Sequence, residues 1–138
     1  MVSIVVPTLG RESFQDLAKS LPVVSQSAQV LPIEVIVVAD AKVDAAVVAV
    51  LAKQWSEFTF VQAKSPGVNC ARNLGAAHAS GEIIWFLDDD VEVPQATEAL
   101  HFIFDAFRKD QTAAIGGGYL STVGASFSEQ GYNLLSSL

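Results

Sequence analysis

Residues 82–94 read EIIWFLDDDVEVP, an apolar run that ends in three consecutive aspartates. A short run of this kind, rich in Ile, Trp and Phe, reads as a buried strand. Three adjacent carboxylates repel one another, and each is better solvated by water than by protein. Asp88, Asp89 and Asp90 therefore call for an electrostatic partner at the end of that strand. The same design recurs upstream. Residues 2–6 (VSIVV) form a β-branched run closed by Pro7, and residues 33–40 (IEVIVVAD) form a second apolar strand ending in an acid. Residues 58–63 (FTFVQA) alternate like a further strand.

Helical patterns lie between these runs. Residues 8–21 place Phe14, Leu17 and Leu21 on one face, with Ser13 or Thr8 as the cap and Pro22 to end or kink the helix. Asp44 is positioned to cap residues 45–55, where Val47, Val48, Leu51 and Trp55 share a face. Residues 68–80 follow Pro66 and Gly67 and stop at Gly81, and Gly75, Ala76 and Ala77 suit a helix lying close to a sheet. Pro94 suits the first helical position of residues 95–109, whose apolar face is Leu100, Ile103, Phe104 and Phe107. Residues 113–118 (AAIGGG) fit a fifth strand, and residues 126–138 give no clear pattern.

Apolar strands alternating with helices predict an α/β three-layer sandwich with a mainly parallel central sheet covered on both faces. In such sheets ligands bind beyond the carboxyl ends of the strands. Thr8, Asp40 and the Asp88, Asp89, Asp90 block all fall at those ends.

Composition narrows the classes. A chain of 138 residues, 51% apolar, suits one domain with a proper core, residues 1–138. The formal charge of −7 (8 basic against 15 acidic residues) leaves no basic stripe for nucleic acid. A phosphate-bearing small ligand stays compatible if a metal ion supplies the positive charge. Cys70 is the only cysteine, which excludes an intramolecular disulfide and points to a reducing compartment; it reads as a small buried apolar residue. No run approaches the ~18 apolar residues of a membrane span, and the first six residues lack a signal-peptide pattern. The expectation is a soluble chain.

Asp88 and Asp90 sit two apart, so on an extended chain they project to one side with Asp89 opposite. Two carboxylates suit Mg²⁺ or Mn²⁺, which keep several waters and take phosphate oxygens as further ligands. The alternative is a solvated turn that caps the following helix. Asp40 suits a hydrogen-bonded base or ribose, or else an Asx-turn. Arg72 suits a bidentate diphosphate contact, or else a surface salt bridge. His78 and His101 read as structural, Trp85 and Phe86 as core. The glycines at 116–118 lack phosphate-loop spacing, and no Ser-His-Asp or Cys-His grouping is present.

Taken together, VSIVVPTLGR (2–11), EVIVVAD (34–40), GVNCARNLGAAHASGEIIWFLDDD (67–90) and the Pro94 that follows resemble the family 2 glycosyltransferases, over about residues 2–107. The resemblance implies a GT-A nucleotide-sugar-binding fold and inverting transfer of a sugar from a nucleotide diphosphate donor, UDP-linked, with Mg²⁺ or Mn²⁺. By position, Pro7 and Thr8 would lie at the nucleoside, Asp40 at the base and Arg72 near the nucleotide. Asp88 and Asp90 would form the DxD motif, with Asp90 foremost on the metal and Asp89 a close substitute for it, and Asp88 and Asp89 would also meet the nucleotide-sugar. A glycan or lipid acceptor and a cytoplasmic location, at the inner face of the membrane, go with it. The family often has two acids where Ala39 and Asp40 stand, and an aromatic-Asn pair where Leu9 and Gly10 stand.

Family catalytic domains are longer, and their acceptor half supplies the catalytic base. Glu129, the only carboxylate after Asp110, lies in no matching motif. The chain is therefore expected to be the donor-binding half, truncated at its C-terminus, with homodimerisation through the cut face. A nucleotide-sugar-binding module without catalysis is the alternative. A signalling receiver domain, which also places acids at strand ends, fits less well, because Lys109, the last lysine, falls on a predicted helix rather than at a strand end.

Overall fold

Val2–Thr8 forms β1, and all seven of its residues are buried. Ile33–Ala39 forms β2 and pairs with it in parallel through seven residue pairs, from Val2 with Ile33 to Thr8 with Ala39. Thr59–Gln62 (β3) adds to the far side of β2 and Ile83–Phe86 (β4) to the far side of β1. Among the described residues the sheet is four-stranded, all parallel, in the order β3-β2-β1-β4. The computed structural model describes residues 1–21, 32–108 and 114–116.

Pro7 sits inside a central strand, where the missing N–H would normally break the ladder. The pairing explains its place. Leu87 N–H donates to the Val5 carbonyl, so the odd-numbered residues of β1 present their backbone groups to β4. β4 pairs only as far as Val5 with Phe86. Pro7 lies beyond that point, and no ladder bond is lost. The strand thus runs two residues past the predicted stop.

Helices cover both faces. Val68–His78 (α3) lies against one: Val5, Ile36, Val38, Ala63 and Ala71 form a buried cluster there. A Cβ on Gly75 would stand 2.3 Å from Val5 Cγ1 and 3.1 Å from Val38 Cγ2, so only glycine allows this approach. Ser13–Ser20 (α1) takes the other face, where Phe14 meets Phe60 edge-on at 6.3 Å. Phe14 and Leu17 are fully buried, each such side chain stabilising by roughly 1.5–3 kcal/mol. Ala45–Gln54 (α2) begins at Asp44, whose carboxylate accepts from Ala46 N–H at 2.7 Å as expected.

Several details differ from the sequence reading. Neither Thr8 nor Ser13 caps α1: the start is tightened by backbone bonds from Phe14 to Arg11 and from Gln15 to Glu12, and Ser13 Oγ has no partner among the described residues. The helix ends at Ser20, before Pro22, which lies outside the described residues. On α2 only Leu51 of the expected face is buried, and Val50 is 65% exposed. β4 is not buried on both faces: its side chains alternate, with Ile84 and Phe86 exposed, and among the described residues it pairs with β1 alone. Cys70 is exposed, since Ala71 and Gly75 turn their side of α3 to the sheet. Ala96–Arg108 (α4) starts two residues after Pro94: the Gln95 carbonyl accepts from Ala99 N–H, which leaves Pro94 in the preceding turn. The fifth strand and residues 126–138 fall mostly outside the described residues, and 114–116 is irregular.

The chain divides into two compact units, Met1–Leu100 and His101–Leu138. The first holds all four strands and α1 to α3.

Gly75→Val would drive a stiff side chain into Val5 and Val38. The expected outcome is a loss of ~3 kcal/mol in unfolding free energy by urea denaturation. An unchanged midpoint would place α3 farther from the sheet.

Candidate functional site

The chain order reverses at β1: β2 and β3 extend the sheet one way, and β4 returns to the other side. A crevice opens beyond the carboxyl ends of strands at such a switch point. Here it is a cleft of about 460 Å³ lined by Pro7, Thr8, Leu9 and Arg11, then Asp40 and Lys42, then Gly67, Val68, Ala71 and Arg72, and finally Asp88, Asp89 and Asp90. That volume falls in the range of small-molecule sites. Every residue singled out from the sequence as a nucleotide or metal candidate lines this one cleft.

Asp40 ends β2 and is 7% exposed. Its Oδ2 accepts from Gly67 N–H at 2.7 Å and its Oδ1 from Lys42 N–H at 2.9 Å. These two amides, with the Lys42 charge, hold its carboxyl below the usual carboxylate range against a smaller desolvation effect. The Asx-turn reading of Asp40 is therefore realised, and the same carboxylate also fastens the start of α3. Gly67 has φ +117°, a backbone region that side chains rarely enter, so its N–H reaches Asp40 only because the residue is glycine.

Arg72, on the first turns of α3, places Nη2 2.6 Å from Asp88 Oδ1. The salt-bridge alternative is thus the observed state, made with the acid block itself. Both side chains remain partly exposed, and the Arg72 Nε–H is buried without a partner among the described residues. Asp89 is 6% exposed and turned toward β1: its Oδ2 accepts from Thr8 Oγ1–H at 2.7 Å and from Leu9 N–H at 3.1 Å. Asp90 is exposed. The extended geometry expected for the three acids does not hold, because Val91 N–H returns to the Asp88 carbonyl and closes a turn.

Mg²⁺ or Mn²⁺ can be tested against this donor set. Among the described residues no three acidic, His or Cys groups converge on one point, so a cage built of protein ligands does not fit. One or two carboxylates with water and phosphate oxygens completing the shell do fit, with Asp88 and Asp90 both at the cleft.

Sequence reasoning missed Leu9, Arg11, Lys42, Gly67, Val68 and Ala71 as cleft residues. The Pro66 and Gly67 pair before a helix was a usable signal for the α3 start, since helix N-termini attract anions. Arg11 and Lys42 carry no local signal.

An α/β domain with its cleft at the switch point is the class these observations define. The profile of Glycosyl transferase family 2 matches residues 3–133, and the chain belongs to that family. Among solved structures, S. aureus TarS is similar with a TM-score of 0.56 at 23% identity, over 77% of this chain and 20% of that one. S. aureus TarS 1-349 in complex with UDP is similar with a TM-score of 0.57 at 22% identity, over 77% of this chain and 32% of that one. These likenesses concern the fold, and the chain spans a third or less of the length of either structure. No curated protein matches the sequence. No helix among the described residues is long and apolar enough to cross a membrane.

Asp40 generates a pH dependence. Its folded-state pKa lies below the unfolded value of about 3.9, so its contribution is present at neutral pH and is lost as pH falls through the folded value. Asp40→Asn should lower the urea midpoint at pH 7, with the gap to the parent closing on acidification below about pH 4. A gap independent of pH would show that the carboxylate charge is not held by those amides.

Proposed function

We propose that this chain is the donor-binding part of an inverting family 2 glycosyltransferase that takes a UDP-linked sugar with Mg²⁺ or Mn²⁺, toward a glycan or lipid acceptor on the cytoplasmic side of the membrane. The observation that carries the reading is the convergence of Thr8, Asp40, the start of α3 and the acid block on one switch-point cleft. Family membership and the UDP complex of the similar TarS structure support it.

Asp88 and Asp90 would hold the cation, which when bound neutralises the diphosphate leaving group. Arg72 stands beside Asp88, and its Nε–H has no partner among the described residues, so a phosphate within reach would give that donor an acceptor. Asp40 uses one lone pair of each oxygen on backbone amides and keeps acceptor capacity for a base or ribose. Pro7 and Thr8 form the wall at the nucleoside.

One observation favours a narrower reading, binding without turnover. Asp40, Asp88 and Asp89 are all engaged, which leaves Asp90 as the cleft carboxylate without a hydrogen bond or ion pair among the described residues. Once Asp90 holds the cation, no further described carboxylate of the cleft is placed to deprotonate an acceptor hydroxyl.

Calorimetric titration with UDP and GDP, each with and without Mn²⁺, tests the donor site. UDP should bind with Mn²⁺, and Asp88→Ala or Asp90→Ala should weaken it at least ~tenfold while leaving the thermal midpoint within a few degrees. Parent-like affinity in either variant would refute the metal assignment. Binding of a UDP-sugar with no release of UDP would support the narrower reading.

A further inference from the structure

We propose that Asp89 is a positioning residue, which fastens the wall formed by Thr8, Leu9 and Gly10 to the acid block as a hydrogen-bond acceptor rather than meeting the ligand or metal as a charge. The inference rests on the donor-site reading only in its use of UDP as a probe.

The backbone ladder between β1 and β4 stops at Val5 and Phe86, with one last bond from Leu87 N–H to the Val5 carbonyl. Beyond that point the two strand ends border the cleft with no main-chain pairing between them. Asp89 spans the gap. Its Oδ2 accepts from Thr8 Oγ1–H and Leu9 N–H, and Thr8 Oγ1 in turn accepts from Gly10 N–H at 3.0 Å. Three consecutive residues of the loop thus depend on one buried oxygen. Gly10 adopts φ +73°, a conformation the loop holds with that amide turned back on Thr8. On either side of the inward-turned Asp89, Asp88 meets Arg72 and Asp90 stays exposed. One carboxylate therefore fixes two walls of the cleft at once.

Both donors converge on the same oxygen, Oδ2. A carboxamide oxygen in that place accepts the same two bonds without a charge. A metal or phosphate-linked role would instead require the charge. Asparagine therefore separates the two roles.

The test uses the whole chain and two readouts: amide hydrogen exchange at Leu9 and Gly10, and UDP affinity in the presence of Mn²⁺. Asp89→Asn should keep both amides protected and bind UDP within about threefold of the parent. Asp89→Ala leaves Leu9 N–H and the Thr8 hydroxyl without their acceptor, and should speed exchange at Leu9 and weaken UDP about tenfold. Thr8→Val removes the acceptor of Gly10 and should act similarly, with the double variant no worse than the poorer single one. Should Asp89→Ala unfold, Thr8→Val and Asp89→Asn carry the comparison. Loss of UDP binding in Asp89→Asn with both amides still protected would make Asp89 a charged ligand contact and overturn the proposal. Unchanged exchange in Asp89→Ala and Thr8→Val would overturn it too. A parent chain that fails to bind UDP defeats the donor-site reading alone, because the exchange pattern still decides the role of Asp89.

Discussion

The parallel register between β1 and β2 is the constraint on which the rest depends. Seven pairs, from Val2 with Ile33 to Thr8 with Ala39, fix where each strand ends relative to its neighbour. A slip of one residue would turn Val5 and Val38 away from α3 and bring Ile4 and Val37 round to it. It would also move Thr8 away from Asp40, whose N–H donates to the Thr8 carbonyl at 2.9 Å. The core specifies the register, and the register brings the strand-end side chains together. Packing and site are thus set by one pattern of buried β-branched residues.

Much of this was legible because the informative signals are local. Runs such as VSIVV and IEVIVVA mark buried parallel strands, and Asp44 before AAVV marks a cap. Gly75 among small residues announced a helix close to the sheet, and Val5 is what it approaches. The losses share a cause: each depended on a partner far along the chain. An apolar run cannot say whether its strand is central or at an edge, so Ile84 and Phe86 read as buried. Pro7 looked like a stop, because its tolerance depends on where β4 ends. The acid block read as extended, and a turn bond at Asp88 overrode the two-residue period. The cleft itself was foreseen through strand ends; the directions of Asp88 and Asp89 were not, since Arg72 and Thr8 lie 16 and 81 residues away.

The cleft answers the repulsion posed by three adjacent acids in three separate ways. Asp88 takes a guanidinium, Asp89 takes a hydroxyl and an amide, and Asp90 faces water. Neighbours in sequence are therefore dispersed in environment, which lets one short turn carry an ion pair, a fastening and an open ligand position. The sheet geometry makes this possible, since a strand end at the switch point borders β1 on one side and the start of α3 on the other.

β2 carries a second acid, Glu34, near its opposite end. Burial opposes its ionisation, but hydrogen bonds from Ser3, from the backbone and hydroxyl of Ser80, and from Gly81 together lower its pKa. Ser80 lies just past the exit of α3, while Asp40 grips Gly67 at its entrance. Six steps of a strand cover about 20 Å, and the eleven residues of α3 rise about 17 Å, so one strand moors the helix at bow and stern. Both moorings are carboxylates with depressed pKa, so both are charged at neutral pH and each weakens only as acid protonates it. Acid therefore acts on α3 at both of its ends, and through Ser3 and Glu34 it reaches one cross-strand contact of β1 and β2, while the backbone bonds of that ladder do not titrate.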